Sequence, residues 1–131
     1  MTMPHERTRS LRWGFELLHE MLLDESIDIA IRDAAQRLLL TYPRPDQISQ
    51  LIKANASALP RETSDALVNA GALWVRLRRS GQGTAVTRRS LLFCERHFPE
   101  PWVVGMLGKA SIDGVRSWLL TEDHNVLAGP V

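Results

Sequence analysis

Cysteine, lysine and long apolar runs are nearly absent from this sequence. One cysteine among 131 residues, Cys94, excludes an internal disulfide and is typical of a reducing, cytoplasmic compartment. No apolar stretch reaches the roughly 18 residues of a membrane-spanning helix, so we expect no membrane insertion. The apolar share of 44% and the charged share of 24% are typical of a folded chain, and the length is that of one domain.

Catalytic and metal-binding signatures are also missing. The sequence has no dinucleotide fingerprint, no Walker lysine and no nucleophile elbow. Glu16 and His19 have the E-x-x-H spacing of di-iron bundles, but those sites need a second copy, which this chain lacks. Cys94 and His97 form only half of a zinc motif, and the apolar residues before Cys94 predict a buried thiol. We therefore predict a non-enzymatic protein with no metal and no cofactor.

Apolar residues recur at helical spacing along most of the chain. The steps are three and four residues, which is the repeat of one helix face. The main stripes are Leu11, Phe15, Leu18 and Leu22, then Ile27, Ile31, Ala34 and Leu38, then Leu67, Ala70, Trp74 and Leu77. A short apolar segment follows at residues 102–107, and residues 111–119 are a last predicted helix. The pattern predicts an all-α fold, with residues 1–131 forming a single compact domain of five to seven short helices.

Proline, glycine and hydroxyl side chains mark the predicted helix ends. Pro45 and Pro60 open the third and fourth helices, because proline fits the first helical turn. Ser26 and Thr87 are the predicted N-caps of the second and fifth helices. Gly81 is the predicted stop of the fourth helix, because glycine tolerates the left-handed conformation that ends many helices.

Residues 72–93 allow an alternative structure. Apolar positions alternate with tryptophan and arginine from Leu73 to Arg78, and a turn at residues 80–83 would close a β-hairpin. Arginines on such a hairpin would resemble the wing of a winged-helix DNA-binding domain. The helical pattern starts earlier in the sequence and runs unbroken to Leu77, so a helix is the preferred prediction.

Charge is distributed unevenly along the chain. Residues 66–112 carry seven basic and two acidic groups, for a net charge of +5, whereas the remainder carries nine basic and thirteen acidic groups, for −4. The predicted helices within residues 1–42 form the acidic part. Fourteen of the sixteen basic residues are arginine, which forms bidentate contacts with carboxylates and phosphates that lysine cannot match. Such a chain can pair its two parts internally or present them to different partners.

An arginine cluster surrounds a glycine-containing turn in the basic part. Arg76, Arg78 and Arg79 end the fourth predicted helix, where cations complement the helix dipole. Arg88 and Arg89 lie at the start of the next helix, where the dipole is unfavourable for a cation, so a carboxylate, a phosphate or water is expected nearby. The predicted partner-binding residues are Arg76, Arg78, Arg79, Gly81, Gly83, Arg88 and Arg89.

Two kinds of partner are compatible with this cluster. The preferred prediction is a protein or nucleoprotein complex that the chain regulates or inhibits. The alternative is a DNA-binding helical regulator, of helix-turn-helix or winged-helix type, acting through the same arginines or through residues 46–55. That segment offers Gln47, Gln50 and Lys53, which can contact bases or phosphates, but it lacks arginine.

Two motifs mark the N-terminal third of the chain. They are the opening Met-Pro-His-Glu-Arg-Thr-Arg at residues 3–9 and the Arg-x-x-Ala-x-x-Leu-Leu-x-x-Tyr-Pro stretch at residues 32–43. With them, roughly the first 45 residues resemble a family of short uncharacterised proteobacterial proteins. The resemblance implies a bacterial, cytoplasmic, helical protein. It implies no function and no functional residues.

Overall fold

Five α-helices make up most of residues 4–53 and 60–98, the part of the chain that the computed structural model describes. The helices are α1 (Pro4–Leu23), α2 (Ile29–Leu39), α3 (Pro45–Lys53), α4 (Arg61–Ser80) and α5 (Ala85–His97). No strand occurs in these residues. The predicted all-α fold is therefore confirmed, while the apolar segment at 102–107 and the last predicted helix at 111–119 lie outside the described residues.

The alternative β-hairpin at residues 72–93 is wrong. Helix α4 continues without interruption to Ser80, and its apolar positions from Ala66 to Leu77 are buried on one face. Gly81 ends the helix in the left-handed conformation, with φ of 69°, and its N–H donates to the carbonyl of Arg78. The turn therefore connects two helices rather than two strands. The apolar stripe of α4 has steps of three and four residues and is longer than the apolar–polar alternation from Leu73 to Arg78 that suggested a strand. The longer pattern therefore decides the structure.

The core includes more of α1 than the predicted stripe. Leu11 and Leu18 are buried as predicted, but Leu17 and Met21 are fully buried as well. Phe15 and Leu22 are only partly buried at the edge of this core. The buried face of α1 is broader than one stripe because the helix packs against both α2 and α5.

Helices α1 and α5 lie antiparallel and are joined by short polar contacts. Near the N-terminus of α1, the Ser10 hydroxyl donates to the carbonyl of Cys94 at 2.9 Å, and the Cys94 thiol donates to the carbonyl of Ser10 at 3.7 Å. Both side chains are fully buried, and burial raises the pKa of the Cys94 thiol far above its ordinary value. The predicted burial of Cys94 is confirmed, and its thiol acts as a packing group.

Gly14 allows the Tyr42 ring to lie directly against α1. The buried Tyr42 hydroxyl donates to the carbonyl of Leu11 at 2.7 Å. A Cβ atom at Gly14 would overlap that hydroxyl and would come within 3.2 Å of the Phe98 ring. The absence of a side chain at Gly14 thus makes room for Tyr42, which lies shortly after the end of α2 and links it to the middle of α1.

Replacing this glycine tests the close approach. Gly14→Ala raises helix propensity by about 1 kcal/mol but forces Tyr42 away, so we expect a net destabilisation of about 1–2 kcal/mol. Gly71 is the matched control, because it also lies inside a helix and a Cβ there would meet nothing within 4 Å. Gly71→Ala should stabilise the protein by about 0.5–1 kcal/mol. Urea unfolding measures both, and stabilisation by both substitutions would contradict the packing described.

Candidate partner-binding surface

The loop between α4 and α5 packs against the loop between α1 and α2. The first loop spans residues 81–84 and contains the predicted glycine turn, and the second spans residues 24–28. Asp24 accepts hydrogen bonds from Thr84 and Thr87, and Asp28 exchanges hydrogen bonds with Gln82, so the two loops are joined. The acidic and basic parts of the chain therefore meet at this point.

Asp24 supplies the anion at the start of α5. One carboxylate oxygen accepts hydrogen bonds from the Ser26 N–H at 3.0 Å and the Ser26 hydroxyl at 2.5 Å. The other oxygen accepts from the Thr84 N–H at 2.9 Å and the buried Thr87 hydroxyl at 2.7 Å. Burial by itself raises the pKa of Asp24, but these hydrogen bonds outweigh it and hold the pKa well below its ordinary value of 3.8. The side chain is therefore a buried carboxylate at the positive end of a helix.

Asp28 forms the second contact between the loops. Its N–H donates to the side-chain oxygen of Gln82 at 2.8 Å, and the Gln82 amide donates back to its carboxylate at 3.1 Å. The same carboxylate accepts from the Ile31 N–H and caps α2. The Ile31 N–H and the Gln82 amide lower the pKa of Asp28, and the charge of Arg76 adds to the effect.

Both predicted N-caps are wrong by two or three residues. Asp28, rather than Ser26, caps α2, and Thr84, rather than Thr87, caps α5. Ser26 and Thr87 instead donate their hydroxyl groups to Asp24. An N-cap residue has an extended backbone, and its side chain accepts a hydrogen bond from an N–H group in the first turn of the helix. Asp28 and Thr84 hold that position, so the neighbouring hydroxyl residues Ser26 and Thr87 do not cap the helices.

The N–H groups of the glycine turn are largely used within the protein. Gly81 donates to the Arg78 carbonyl, Gln82 donates to the Ser80 hydroxyl at 3.1 Å, and Thr84 donates to Asp24. A phosphate cradle needs several free N–H groups that point at one anion. These three N–H groups already have partners, and the place that such an anion would take at the start of α5 belongs to Asp24.

Arg88 is bound to the end of α4. Its guanidinium donates to the carbonyls of Leu77 at 3.2 Å, Gln82 at 2.9 Å and Arg78 at 3.4 Å. The last carbonyls of a helix lack partners within the helix and carry the negative end of its dipole. Arg88 therefore lies in the first turn of α5 but donates to carbonyls at the C-terminus of α4. This contact explains a cation at a position where the dipole of its own helix is unfavourable.

The other predicted arginines divide into paired and unpaired groups. Arg78 forms an ion pair with Glu95 at 3.2 Å, and Arg76 lies near Asp28. Arg79 and Arg89 are exposed and form no hydrogen bond or ion pair with any residue in the described ranges. An exposed ion pair contributes about 0–1 kcal/mol, so Arg78 can be released at little cost, whereas Arg88 cannot.

Three exposed apolar side chains lie at the end of the helices where the two loops meet. Leu23 is 85% exposed, Val86 is 68% exposed and Ile29 is 62% exposed. Leu23 precedes Asp24, Ile29 follows Asp28, and Val86 is the second residue of α5, so all three lie next to the joined loops. We use the name turn surface for this end, formed by Leu23, Ile29, Arg79, Val86 and Arg89.

Residues 46–53 of the alternative DNA-contacting segment lie on α3, and residues 54–55 of that prediction lie outside the described residues. The side-chain oxygen of Gln47 accepts from the Arg44 N–H at 2.9 Å, so this side chain caps the helix. Arg44 also pairs with Asp46 at 3.3 Å, and Gln50 is exposed. Of the two glutamines in the predicted DNA-contacting segment, Gln47 is therefore bound to the Arg44 N–H, whereas Gln50 is accessible.

Comparison with known proteins gave no match: no family model, no curated protein and no solved structure matches the chain. Within residues 4–53 and 60–98, no helix has the length and apolar character needed to cross a membrane. No group of three or more histidine, cysteine or acidic side chains in the same ranges has the arrangement of a metal site.

Neighbouring arginines at the start of α5 should differ sharply in their effect on stability. Arg88→Ala removes three hydrogen bonds, two to carbonyls at the end of α4 and one to the Gln82 carbonyl in the following loop, so we expect a destabilisation of about 1–2 kcal/mol. Arg89→Ala should change stability by less than about 0.5 kcal/mol, because no described residue pairs with its side chain. Thermal unfolding followed by circular dichroism measures both. Equal effects would contradict the role assigned to Arg88.

The buried carboxylate should make stability depend on pH. Asp24→Asn removes the charge that accepts four hydrogen bonds, and we expect a loss of about 2–3 kcal/mol at neutral pH. Because folding lowers the pKa of Asp24, its contribution is full well above pH 3.8, starts to fall near that pH and is lost only as the pH falls through the lower pKa of the folded state. The difference between wild type and Asp24→Asn should therefore narrow in acid.

Asp46→Asn is the matched control for this substitution. Asp46 is likewise an aspartate that accepts a hydrogen bond, here from the Arg44 guanidinium, but both of these side chains are more than half exposed. The control should cost less than about 1 kcal/mol at neutral pH. Urea unfolding of wild type and both variants from pH 7 to pH 3 measures the differences. A pH-independent difference between wild type and Asp24→Asn would show that the carboxylate is not held as described.

Proposed function

We propose that this protein is a non-enzymatic binding protein whose turn surface docks on another protein. The observation that carries the proposal is the combination of two arginines without described partners, Arg79 and Arg89, with the exposed apolar side chains of Leu23, Ile29 and Val86. Protein interfaces combine apolar contact area with arginine and are poor in lysine. The partner complementary to this surface carries apolar side chains next to carboxylates.

The surrounding structure supports a preformed surface. The two loops are joined by Asp24, Asp28 and Gln82, and Arg88 is fixed on the end of α4. A surface on joined loops loses little conformational entropy when it binds, which favours affinity. Arg78 and Arg76 lie on the same stretch of α4, and breaking the exposed Arg78–Glu95 pair would add a further cation at little cost. Gly81 and Gly83 act in this proposal by shaping the turn, with φ of 69° and 108°.

The proposed cellular role follows from what the surface offers. A small binding protein acts on its partner by covering a surface or by holding one conformation. Regulation or inhibition of a protein or nucleoprotein complex is therefore the proposed function.

DNA binding through the same arginines is the second candidate. The cluster supplies several guanidinium groups near one turn, and phosphates attract such groups regardless of sequence. Exposed leucine, isoleucine and valine gain nothing from contact with phosphates, so the apolar side chains favour the protein partner. The two candidates differ in salt dependence, because binding to DNA releases counterions and weakens steeply as salt rises.

Removing the two unpaired arginines tests the proposed interface. Arg79→Ala/Arg89→Ala should weaken binding to the partner at least tenfold while shifting the midpoint of thermal unfolding by less than about 2 °C. The partner is first isolated from the native host with the wild-type chain and identified by mass spectrometry, and affinity is then measured by calorimetry with the purified protein. Unchanged affinity of the double variant would place the interface elsewhere.

The matched control removes two exposed arginines from other regions. Arg37 and Arg61 are exposed on α2 and α4, so Arg37→Ala/Arg61→Ala changes the net charge equally. This control should retain wild-type affinity. A titration of duplex DNA at several salt concentrations runs in parallel. Tight binding with a steep salt dependence, lost in Arg79→Ala/Arg89→Ala but not in the control, would replace the protein partner with DNA.

A further inference from the structure

A small cleft lies between α1 and α5, on the side of the helices that faces solvent. Its walls are Trp13, Glu16, Leu17, Glu20, Ser90 and Phe93, and its volume is about 130 Å³. The lining combines two aromatic rings, two carboxylates and one hydroxyl group. We propose that this cleft receives the arginine side chain of a partner protein.

Charge in the cleft is the first argument. Glu16 and Glu20 are four residues apart on α1 and therefore lie on one face of the helix. Neither carboxylate forms an ion pair with a residue in the described ranges. One oxygen of Glu20, Oε2, is shielded from solvent and accepts no hydrogen bond there. An unsatisfied carboxylate oxygen beside a second carboxylate favours a cation that carries several N–H donors.

The aromatic walls decide which cation fits. Trp13 and Phe93 lie with their ring centroids 6.2 Å apart and their planes tilted by 45°. A planar guanidinium stacks on aromatic faces and can also donate to a carboxylate in its own plane, whereas a lysine ammonium is a compact, strongly hydrated point charge. The Trp13 ring already has one guanidinium near it, because Arg9 lies 5.8 Å from its centroid. The lining therefore favours arginine over lysine.

Size decides between a side chain and a free metabolite. Pockets for small molecules usually enclose about 300–1,000 Å³, which is well above the volume of this cleft. The head of one side chain fits, and the rest of the ligand must lie outside. Phe93 is 45% exposed and Leu92 is 67% exposed, so α5 offers apolar contact area beside the cleft for the remainder of a protein partner.

Titration of the full chain with a capped amino acid tests the proposal. N-acetyl-arginine methylamide is added to isotope-labelled protein, and the indole N–H of Trp13 and the backbone amides of Glu20, Ser90 and Phe93 are followed by nuclear magnetic resonance. Saturable shifts at these positions, with a Kd in the millimolar range, are expected for a single side chain. N-acetyl-citrulline methylamide has the same shape without the charge and should cause at least tenfold weaker binding. Equal shifts with the two probes would overturn the proposal.

Variants and a second probe separate the remaining outcomes. Glu16→Gln/Glu20→Gln should weaken binding of the arginine probe at least tenfold, whereas Glu25→Gln, which changes an exposed glutamate in the loop after α1, should leave it unchanged. Equal loss in both variants, or in neither, would refute a specific role for the cleft. Free L-arginine should bind no more tightly than the capped probe. Binding of free arginine at least tenfold tighter would identify a metabolite site and overturn the assignment to a protein side chain.

Discussion

The buried Asp24 carboxylate joins the loop between α1 and α2 to the start of α5 at one end of the protein. It follows α1, yet it accepts hydrogen bonds from Thr84 and Thr87 at the start of α5. Burying a charge is costly unless its lone pairs are satisfied, and here Ser26 supplies the donors for the second oxygen. The contact holds the end of α1 beside the start of α5, while Ser10, nearer the start of α1, contacts Cys94 near the end of α5.

The contacts between the two loops decide which charged side chains of the acidic and basic parts are paired in the fold. The acidic loop meets the basic part, but its carboxylates accept from neutral N–H, hydroxyl and amide groups rather than from arginine. Arg88 donates to carbonyls, which are also neutral. Arg78 pairs with Glu95 and Arg76 interacts with Asp28, so Arg79 and Arg89 are the two arginines of the cluster that stay exposed without an ion pair in the described residues.

The helices could be predicted from sequence because their stripes are long, and the proline and glycine boundaries at Pro45, Pro60 and Gly81 have local causes. The site could be predicted only in part, because its contacts are distant in sequence. Nothing near Asp24 in sequence indicates Thr84, and the role of Arg88 depends on where the previous helix ends. The pattern of an aspartate before Ile29 and Ala30 was a usable signal for the cap of α2. Gly14 gave no signal at all, because the reason for it is a ring that follows another helix.

Helix α5 contributes to both proposed surfaces, and their chemistry is opposite. Arg89 belongs to the basic turn surface, while the next residue, Ser90, lines the acidic cleft. Consecutive residues of a helix point about 100° apart, so the two surfaces lie on different faces of the same turn. From Arg89 to Phe93 the helix rises only about 6 Å. This distance is short compared with the width of a surface patch of about 800 Å², the usual area that each partner buries in a protein interface. One partner can therefore contact both surfaces, and the order of charges along it would fix its orientation, because like charges placed opposite each other are strongly unfavourable.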